Sequence, residues 1–143
     1  MKASFSVELR AAVDATTAAG NLALRHFRHG VSAVKKPDRT PVTVADRAAE
    51  RLLRKAIRKR FPSHAIMGEE YGAGGSARAA SKWIIDPIDG TRSFMRGVPF
   101  WATLLALQVD DEIKLGVIYA PATGDLIVAE RGRGAFHNGK RSY

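Results

Sequence analysis

Two segments in the first half of the chain have apolar residues at the spacing of an amphipathic helix. Between about Ser6 and His29 these residues recur every three or four positions. The second helix is predicted to begin with Thr43 as its N-cap and to end at Phe61, just before Pro62. Its predicted buried stripe consists of Ala45, Ala49, Leu52, Leu53, Ala56 and Ile57. Both helices therefore present one apolar side to a core.

The remaining pattern is that of β-strands. Strands are predicted at residues 31–36, 65–68, 82–86, 101–109, 113–120, 125–132 and 134–141. The glycine-rich segment 72–81 is predicted to be a mobile loop, and Asn138-Gly139 is typical of a tight hairpin turn. Two helices followed by a mainly antiparallel sheet indicate an α+β fold, with no repeat or domain boundary within residues 1–143.

Composition narrows the class of protein. The net charge is +9, from 23 Lys and Arg against 14 Asp and Glu, which favours anionic partners such as phosphorylated metabolites, although a solvated surface explains the same surplus. The chain has no cysteine, so a disulfide framework, a thiol nucleophile and a cysteine-ligated zinc site are excluded. No segment is typical of a signal peptide or a membrane span, so a cytoplasmic protein without a membrane partner is expected.

The segment Asp86–Thr91 carries the strongest indication of chemistry. Asp86 ends a buried strand, and Pro87 is expected to stop the ladder and turn the chain so that Asp86 and Asp89 converge. The carbonyl of Ile88 would lie between them. Two carboxylates and a carbonyl are the hard oxygen ligands that Mg²⁺ prefers.

Further candidates extend this site. Gly90 and Thr91 begin a short helical turn, where backbone N–H groups bind phosphate readily. Glu69, also at a strand end, would complete an acidic cluster whose members repel one another unless a cation binds. Taken singly, each segment has a structural explanation: Asp46 is a favourable acid at a helix start, Glu69-Glu70 a polar strand end, and the proline-containing segment a turn. Their combination favours a metal site.

Three motifs resemble those of one enzyme family. WIIDPIDGTRSF (residues 83–94) resembles the W-x-[IV]-D-P-[IL]-D-G-T-x-x-F signature of the inositol monophosphatase superfamily. MGEE (residues 67–70) resembles its G-E-E motif, and the preceding residues 43–64 resemble its helix with a T-x-A-D start and an F-P-x-H turn. The similarity is collinear over essentially all 143 residues. It implies the N-terminal domain of this sugar-phosphatase fold, with two helices on a mainly antiparallel sheet.

The resemblance also implies roles for individual residues. The residues that match the family's metal ligands are Glu69, Asp86, the carbonyl of Ile88 and Asp89. Gly90 and Thr91 match its phosphate-binding positions, and Thr91 with Asp46 would orient and deprotonate the attacking water. Lys35 and Glu70 are accessory candidates. The implied reaction is in-line attack of metal-activated water on a phosphate monoester without a phosphoenzyme, with two or more Mg²⁺ ions in the complete family site.

Two stretches favour one branch of the family. KKPDRTPVTVADRAAE (residues 35–50) and FMRGVPFWATLLALQ (residues 94–108) resemble histidinol-phosphatases, through a K-x-D-x-T-P-V-T-x-A-D-R and an R-G-x-P-x-W pattern. Histidinol phosphate, in histidine biosynthesis, is therefore the first expected substrate. Inositol-1-phosphate or a broad range of sugar phosphates is the alternative.

The resemblance also raises the question of completeness. Family members are roughly twice this length, and their second half is an α/β domain with a W-D-x-A-A-G-type motif whose aspartate is a further metal ligand. This motif is absent from residues 1–143, so the chain is expected to lack the C-terminal α/β domain and to form a homodimer or associate through exposed apolar surface. The alternative of another class is a catalytically incomplete domain that binds anions or nucleic acid. No pattern of RNA-binding type supports nucleic acid as a partner.

Overall fold

The computed structural model describes residues 4–28 and 41–142, and within them it contains three helices and eight strands. The helices are α1 (Val7–Arg28), α2 (Pro41–Arg60) and α3 (Thr91–Met95). The strands are β1 (Ala65–Gly68), β2 (Gly72–Gly74), β3 (Ser81–Asp89), β4 (Ala102–Val109), β5 (Glu112–Ala120), β6 (Asp125–Glu130), β7 (Gly134–His137) and β8 (Lys140–Ser142). The strand predicted at residues 31–36 lies outside the described residues. Within the described ranges, none of the helices combines the length and the apolar character that crossing a bilayer requires.

The two long helices pack against each other and against the sheet, as their amphipathic patterns predict. α1 contacts β4 and β5, and α2 contacts β3. The buried positions of α1 include Leu9, Ala12, Ala15, Ala19 and Ala23, and those of α2 include Ala45, Ala49, Leu53 and Ile57. Most of these residues are alanine, which lets the helices approach closely.

The start of α2 differs from the prediction. The helix begins at Pro41, so Thr43 is not its N-cap. Proline suits the first helical position because its φ is already helical and no N–H is needed there. Asp46 consequently lies in the second turn, where the helix dipole contributes little. The dipole therefore does not account for this acidic residue.

The eight strands form one sheet in the order β2-β1-β3-β4-β5-β6-β7-β8. The pair β1–β3 is parallel, and the other pairs of neighbouring strands are antiparallel. Asn138 and Gly139, with φ of 48° and 81°, make the tight turn between β7 and β8 that their sequence predicts. The predicted α+β class with a mainly antiparallel sheet is confirmed.

The core lies between the helices and one face of the sheet. The side chains that β3, β4, β5 and β6 direct toward the helices include Trp83, Ile85, Leu105, Leu107, Leu115, Val117 and Val128. Burial of a Leu, Ile or Val side chain contributes about 1.5–3 kcal/mol, so this layer dominates the stability of the fold. The opposite face is more open, since Ile118 and Ile127, which pair across β5 and β6, are 42% and 38% exposed.

The glycine-rich segment is not wholly a loop. Gly72–Gly74 forms β2, which pairs with β1 from Ile66↔Gly74 to Gly68↔Gly72. A ladder of backbone hydrogen bonds needs no side chains, so glycine and alanine are tolerated at this edge of the sheet. The prediction of a loop over all of residues 72–81 is therefore wrong for residues 72–74, and also for Ser81, where β3 begins.

Candidate functional site

The parallel pairing of β1 and β3 brings two predicted ligands together. Gly68, the last residue of β1, is paired with Ile85. The next residues along the two chains, Glu69 and Asp86, therefore lie side by side at the same end of this strand pair. The neighbouring Glu69 carboxylate helps to raise the pKa of Asp86, as expected for two acidic groups at adjacent strand ends.

A bulge in β3 brings Asp89 to this edge. Asp86 is paired with Leu104 and Asp89 with Ala102, so β3 has one residue more than β4 between these pairs. The extra residue places both aspartates on one face, although a regular strand would put residues three apart on opposite faces. The prediction that Pro87 stops the ladder is wrong, because β3 continues to Asp89. Proline is tolerated because a bulge leaves a residue without a ladder partner.

Thr103 fixes the bulge from the neighbouring strand. Its side chain is buried, with 0% exposure, and its hydroxyl donates a 2.9 Å hydrogen bond to the carbonyl of Pro87. Thr103 is not among the residues predicted for the site. Its place among the apolar residues 102–107 is the local signal in the sequence.

Removing this hydroxyl is expected to loosen the bulge. Thr103→Val leaves the buried carbonyl of Pro87 without its hydrogen-bond donor. We therefore expect the free energy of unfolding, measured in urea, to fall by about 1–3 kcal/mol. Thr123→Val is the control, because the hydroxyl of Thr123 is exposed and bonds to Asp125, and a change within about 0.5 kcal/mol is expected. Equal losses for the two variants would contradict the role of Thr103.

Asp46 approaches the same edge from α2. Its side chain is 4% exposed, and its Oδ1 has no hydrogen-bond partner. Burial, followed by the charges of Glu70, Asp86 and Glu69, raises the pKa of Asp46 to about 8. The anionic form of this carboxyl group is unfavourable in these surroundings, yet α2 buries it. This combination indicates a site that binds an added positive charge.

The other carboxyl groups share this environment. Burial, the hydrogen bond to Glu69 and the charges of Glu69 and Asp89 raise the pKa of Asp86 to about 7, whereas a hydrogen bond from the N–H of Ile88 acts in the opposite direction. Burial and the charge of Glu50 raise the pKa of Glu70. The structure therefore brings together the acidic residues that the sequence singled out.

The donor set fits a hard divalent cation. Asp46 and Asp86 each have a buried Oδ1 without a partner, and carboxylate oxygen is the ligand type that Mg²⁺ prefers. In residues 4–28 and 41–142, no group of three or more His, Cys, Asp or Glu side chains is already arranged to hold an ion. Binding would therefore require the carboxylates to move closer together. The carbonyl of Ile88 stays a predicted ligand, and the Ile88 side chain is buried beside Phe94 and Trp101.

The predicted phosphate-binding turn comes directly after β3 in the chain. Gly90 has φ 93° and ψ 43° and precedes α3, which begins at Thr91. A Cβ at Gly90 would lie 2.8 Å from the carbonyl oxygen of Phe100, so only glycine fits. Thr91 is exposed, and the first N–H groups of α3 have no partners within the helix. Lys35 lies outside the described residues, so its accessory role stays a prediction.

The fold and this acidic edge define an α+β domain with a carboxylate-rich candidate metal centre. The chain belongs to the inositol monophosphatase family, whose family model matches residues 6–143. Over 133 residues it is 47% identical to a histidinol-phosphatase of Chlorobaculum parvum, covering 92% of this chain and 51% of that protein. It is 37% identical over 129 residues to the Nus factor SuhB of Haemophilus influenzae, covering 89% of this chain and 48% of that protein.

The fold is also that of solved structures. An IMPase from Thermotoga maritima superposes with a TM-score of 0.80 at 37% identity, over 95% of this chain and 53% of that one. The chain thus spans about half the length of the relatives it matches.

Proposed function

We propose that this chain forms the metal- and phosphate-binding part of a Mg²⁺-dependent phosphomonoesterase that hydrolyses histidinol phosphate. The observation that supports the proposal best is the cluster of Asp46, Glu69, Asp86 and Asp89 beside the turn at Gly90. Asp46 and Asp86 have buried oxygens without partners and raised pKa values, and no side chain caps the N-terminus of α3 at Gly90. A phosphate monoester and a divalent cation together satisfy all three features.

The proposed ligands of Mg²⁺ are the carboxylates of Glu69, Asp86 and Asp89 and the carbonyl of Ile88. When bound, Mg²⁺ lowers the pKa of water and stabilises negative charge on the phosphoryl and leaving oxygens. For a chain of the relatives' full length, we propose that the complete site binds two or more Mg²⁺ ions.

The chain's own groups have distinct roles in the proposed reaction. The N–H groups at the start of α3 and Gly90 hold the phosphate oxygens. The hydroxyl of Thr91 orients the attacking water, and Asp46 accepts its proton, for which a pKa close to neutral is suitable. The water oxygen bonds to phosphorus as the bond from phosphorus to the alcohol oxygen breaks. The departing alkoxide takes a proton from solvent water and Asp46 returns its proton to solvent, so the products are the alcohol and inorganic phosphate.

The choice of substrate rests on the comparison with the relatives. The identity to three histidinol-phosphatases is 45–50%, whereas it is 43% to an inositol-1-monophosphatase of Rhizobium meliloti. These identities favour histidinol phosphate. Inositol-1-phosphate or other sugar phosphates are the second candidate, which the likeness to the IMPase structure favours. We also propose that the protein is cytoplasmic and forms a homodimer.

Phosphate release from histidinol phosphate and from inositol-1-phosphate, with Mg²⁺ or with EDTA, tests this proposal. We expect release that requires Mg²⁺, is faster with histidinol phosphate and is lost in Asp89→Asn. Binding of Mg²⁺ without turnover of either compound would contradict catalysis by residues 1–143 alone. A folded chain that binds no Mg²⁺ would contradict the metal site itself.

A further inference from the structure

Glu50 is a charged residue that α2 buries completely, with 0% exposure. Its Oε1 accepts a hydrogen bond from the backbone N–H of Glu70, and its Oε2 accepts one from the backbone N–H of Tyr71, each at 2.9 Å. Oε2 also accepts a 2.9 Å hydrogen bond from Nε of Arg54. Both carboxylate oxygens are therefore bound, and two of the three donors belong to the segment that follows β1.

Arginine side chains of α2 extend this attachment. Arg54 is 6% exposed, donates through Nη2 to the carbonyl of Gly72, and lies 5.9 Å from the ring centre of Tyr71. Nη1 of Arg51 donates a 2.9 Å hydrogen bond to the hydroxyl of Tyr71. The segment 70–72 is therefore held by α2 through its backbone and through its tyrosine.

Gly68 provides the space for this contact. A Cβ at Gly68 would lie 2.5 Å from the carboxylate carbon and from both carboxylate oxygens of Glu50. Glu50 therefore packs against the residue before Glu69 and binds the N–H of the residue after it. Glu69 itself is exposed, so its direction depends on how its two neighbours are held.

The same face of α2 carries Asp46. It lies four residues before Glu50, which is about one helical turn. A buried ion pair such as that of Glu50 and Arg54 contributes little net stability, because desolvation of the charges offsets their attraction. A positional role explains the presence of this buried charge better than stability does.

We infer that Glu50 is a positioning residue that directs Glu69 toward Asp86 by holding the backbone N–H groups of Glu70 and Tyr71. The inference rests on the proposed function, because the proposed benefit is the affinity of the site for Mg²⁺. The hydrogen bonds that hold the segment are present without any ion, so they are testable separately.

The test is Glu50→Gln, which keeps the size of the side chain but offers one acceptor oxygen where the carboxylate offers two. One of the two N–H groups then loses its partner. In the metal-free chain we expect faster hydrogen exchange at the amides of Glu70 and Tyr71 and unchanged exchange in β4 and β5. In a Mg²⁺ titration followed by amide chemical shifts, we expect the Kd to rise by about 10–100-fold. This is the usual loss of metal affinity when a residue that orients a metal ligand is replaced.

Glu130→Gln is a matched control. Glu130 is 5% exposed, accepts the backbone N–H of Ser6 at 3.2 Å and pairs with Arg133 at 2.8 Å. It therefore has the same chemistry as Glu50 but lies at the end of β6. Its replacement is expected to lower the melting temperature and to leave the Kd for Mg²⁺ unchanged.

The outcomes separate this inference from the proposed function. Equal Kd values for the wild type and Glu50→Gln, or unchanged exchange at Glu70 and Tyr71, would overturn the inference. If the wild type binds no Mg²⁺, the proposed function fails, and the exchange rates alone decide whether Glu50 holds the segment. If Glu50→Gln does not fold, Glu50→Asp, which keeps the charge but withdraws it by one methylene, is expected to raise the Kd by about 3–10-fold.

Discussion

Asp86→Asn is expected to raise the melting temperature of the metal-free chain and to abolish its stabilisation by Mg²⁺. The carboxyl group is partly buried beside Glu69 and Asp89, and these surroundings raise its pKa to about 7. Removing the charge relieves the repulsion, which we expect to stabilise the fold by about 1 kcal/mol after allowance for the solvent that reaches Asp86. This corresponds to roughly 3–6 °C in Tm. The same change removes a proposed ligand, so phosphate release is expected to fall by roughly 100-fold or more.

Thermal unfolding with Mg²⁺ and with EDTA measures both effects. Asp111→Asn is the control, because Asp111 is exposed in the turn between β4 and β5 and accepts a hydrogen bond from Gln108 that asparagine can keep. It should leave the response to Mg²⁺ unchanged. A stabilisation of Asp86→Asn by Mg²⁺ equal to that of the wild type would exclude Asp86 as a ligand.

The pH dependence of stability is expected to show the same repulsion at Asp46. The pKa of Asp46 is about 8 in the folded chain, against 3.8 as its ordinary value. Between these values the native state binds more protons than the unfolded state, so without Mg²⁺ the free energy of unfolding decreases as pH rises from about 4 to about 8. Urea unfolding at several pH values measures this slope, and Asp46→Asn is expected to make it shallower. An unchanged slope would show that Asp46 is not the cause.

Gly90→Ala is expected to have the second large effect, on stability and on phosphate binding together. Gly90 has φ 93°, and a Cβ there would lie 2.8 Å from the carbonyl oxygen of Phe100 and 3.3 Å from Cα of Trp101. A left-handed conformation costs a residue with a side chain about 1–2 kcal/mol, and the overlap with backbone atoms about 1–3 kcal/mol more. Chemical denaturation should therefore show a loss of about 2–5 kcal/mol, with weaker binding of inorganic phosphate.

Gly97→Ala separates the two costs. Gly97 has φ 72°, but a Cβ there has no atom within 4 Å. Its replacement should therefore cost only the conformational part, about 1–2 kcal/mol. If both alanine variants lose the same stability, the close approach of Phe100 to Gly90 is not a constraint.

Most helices and strands could be predicted from the sequence alone, because the spacing of apolar residues is a local property. α1, α2 and β4 to β8 lie where their periodicity places them, and the turn at Asn138-Gly139 depends on those two residues alone. The acidic residues were also identified from their motifs. The errors are the start of α2, the extent of β3 past Pro87, and the strand β2, which the glycine-rich segment was not predicted to form. There, backbone pairing with a neighbouring strand or the preference of proline for a first helical turn outweighs side-chain pattern.

The way in which these residues meet depends on tertiary contacts. The parallel pairing of β1 with β3 sets Glu69 beside Asp86, and the bulge opposite Thr103 turns Asp89 to the same side. Glu50 reaches residues 20 and 21 positions further along the chain. Strand register and contacts of this kind depend on which distant segments share a core, and no local spacing records that choice. Short motifs therefore identify the chemical groups of the site, but the packing of the whole domain sets their geometry.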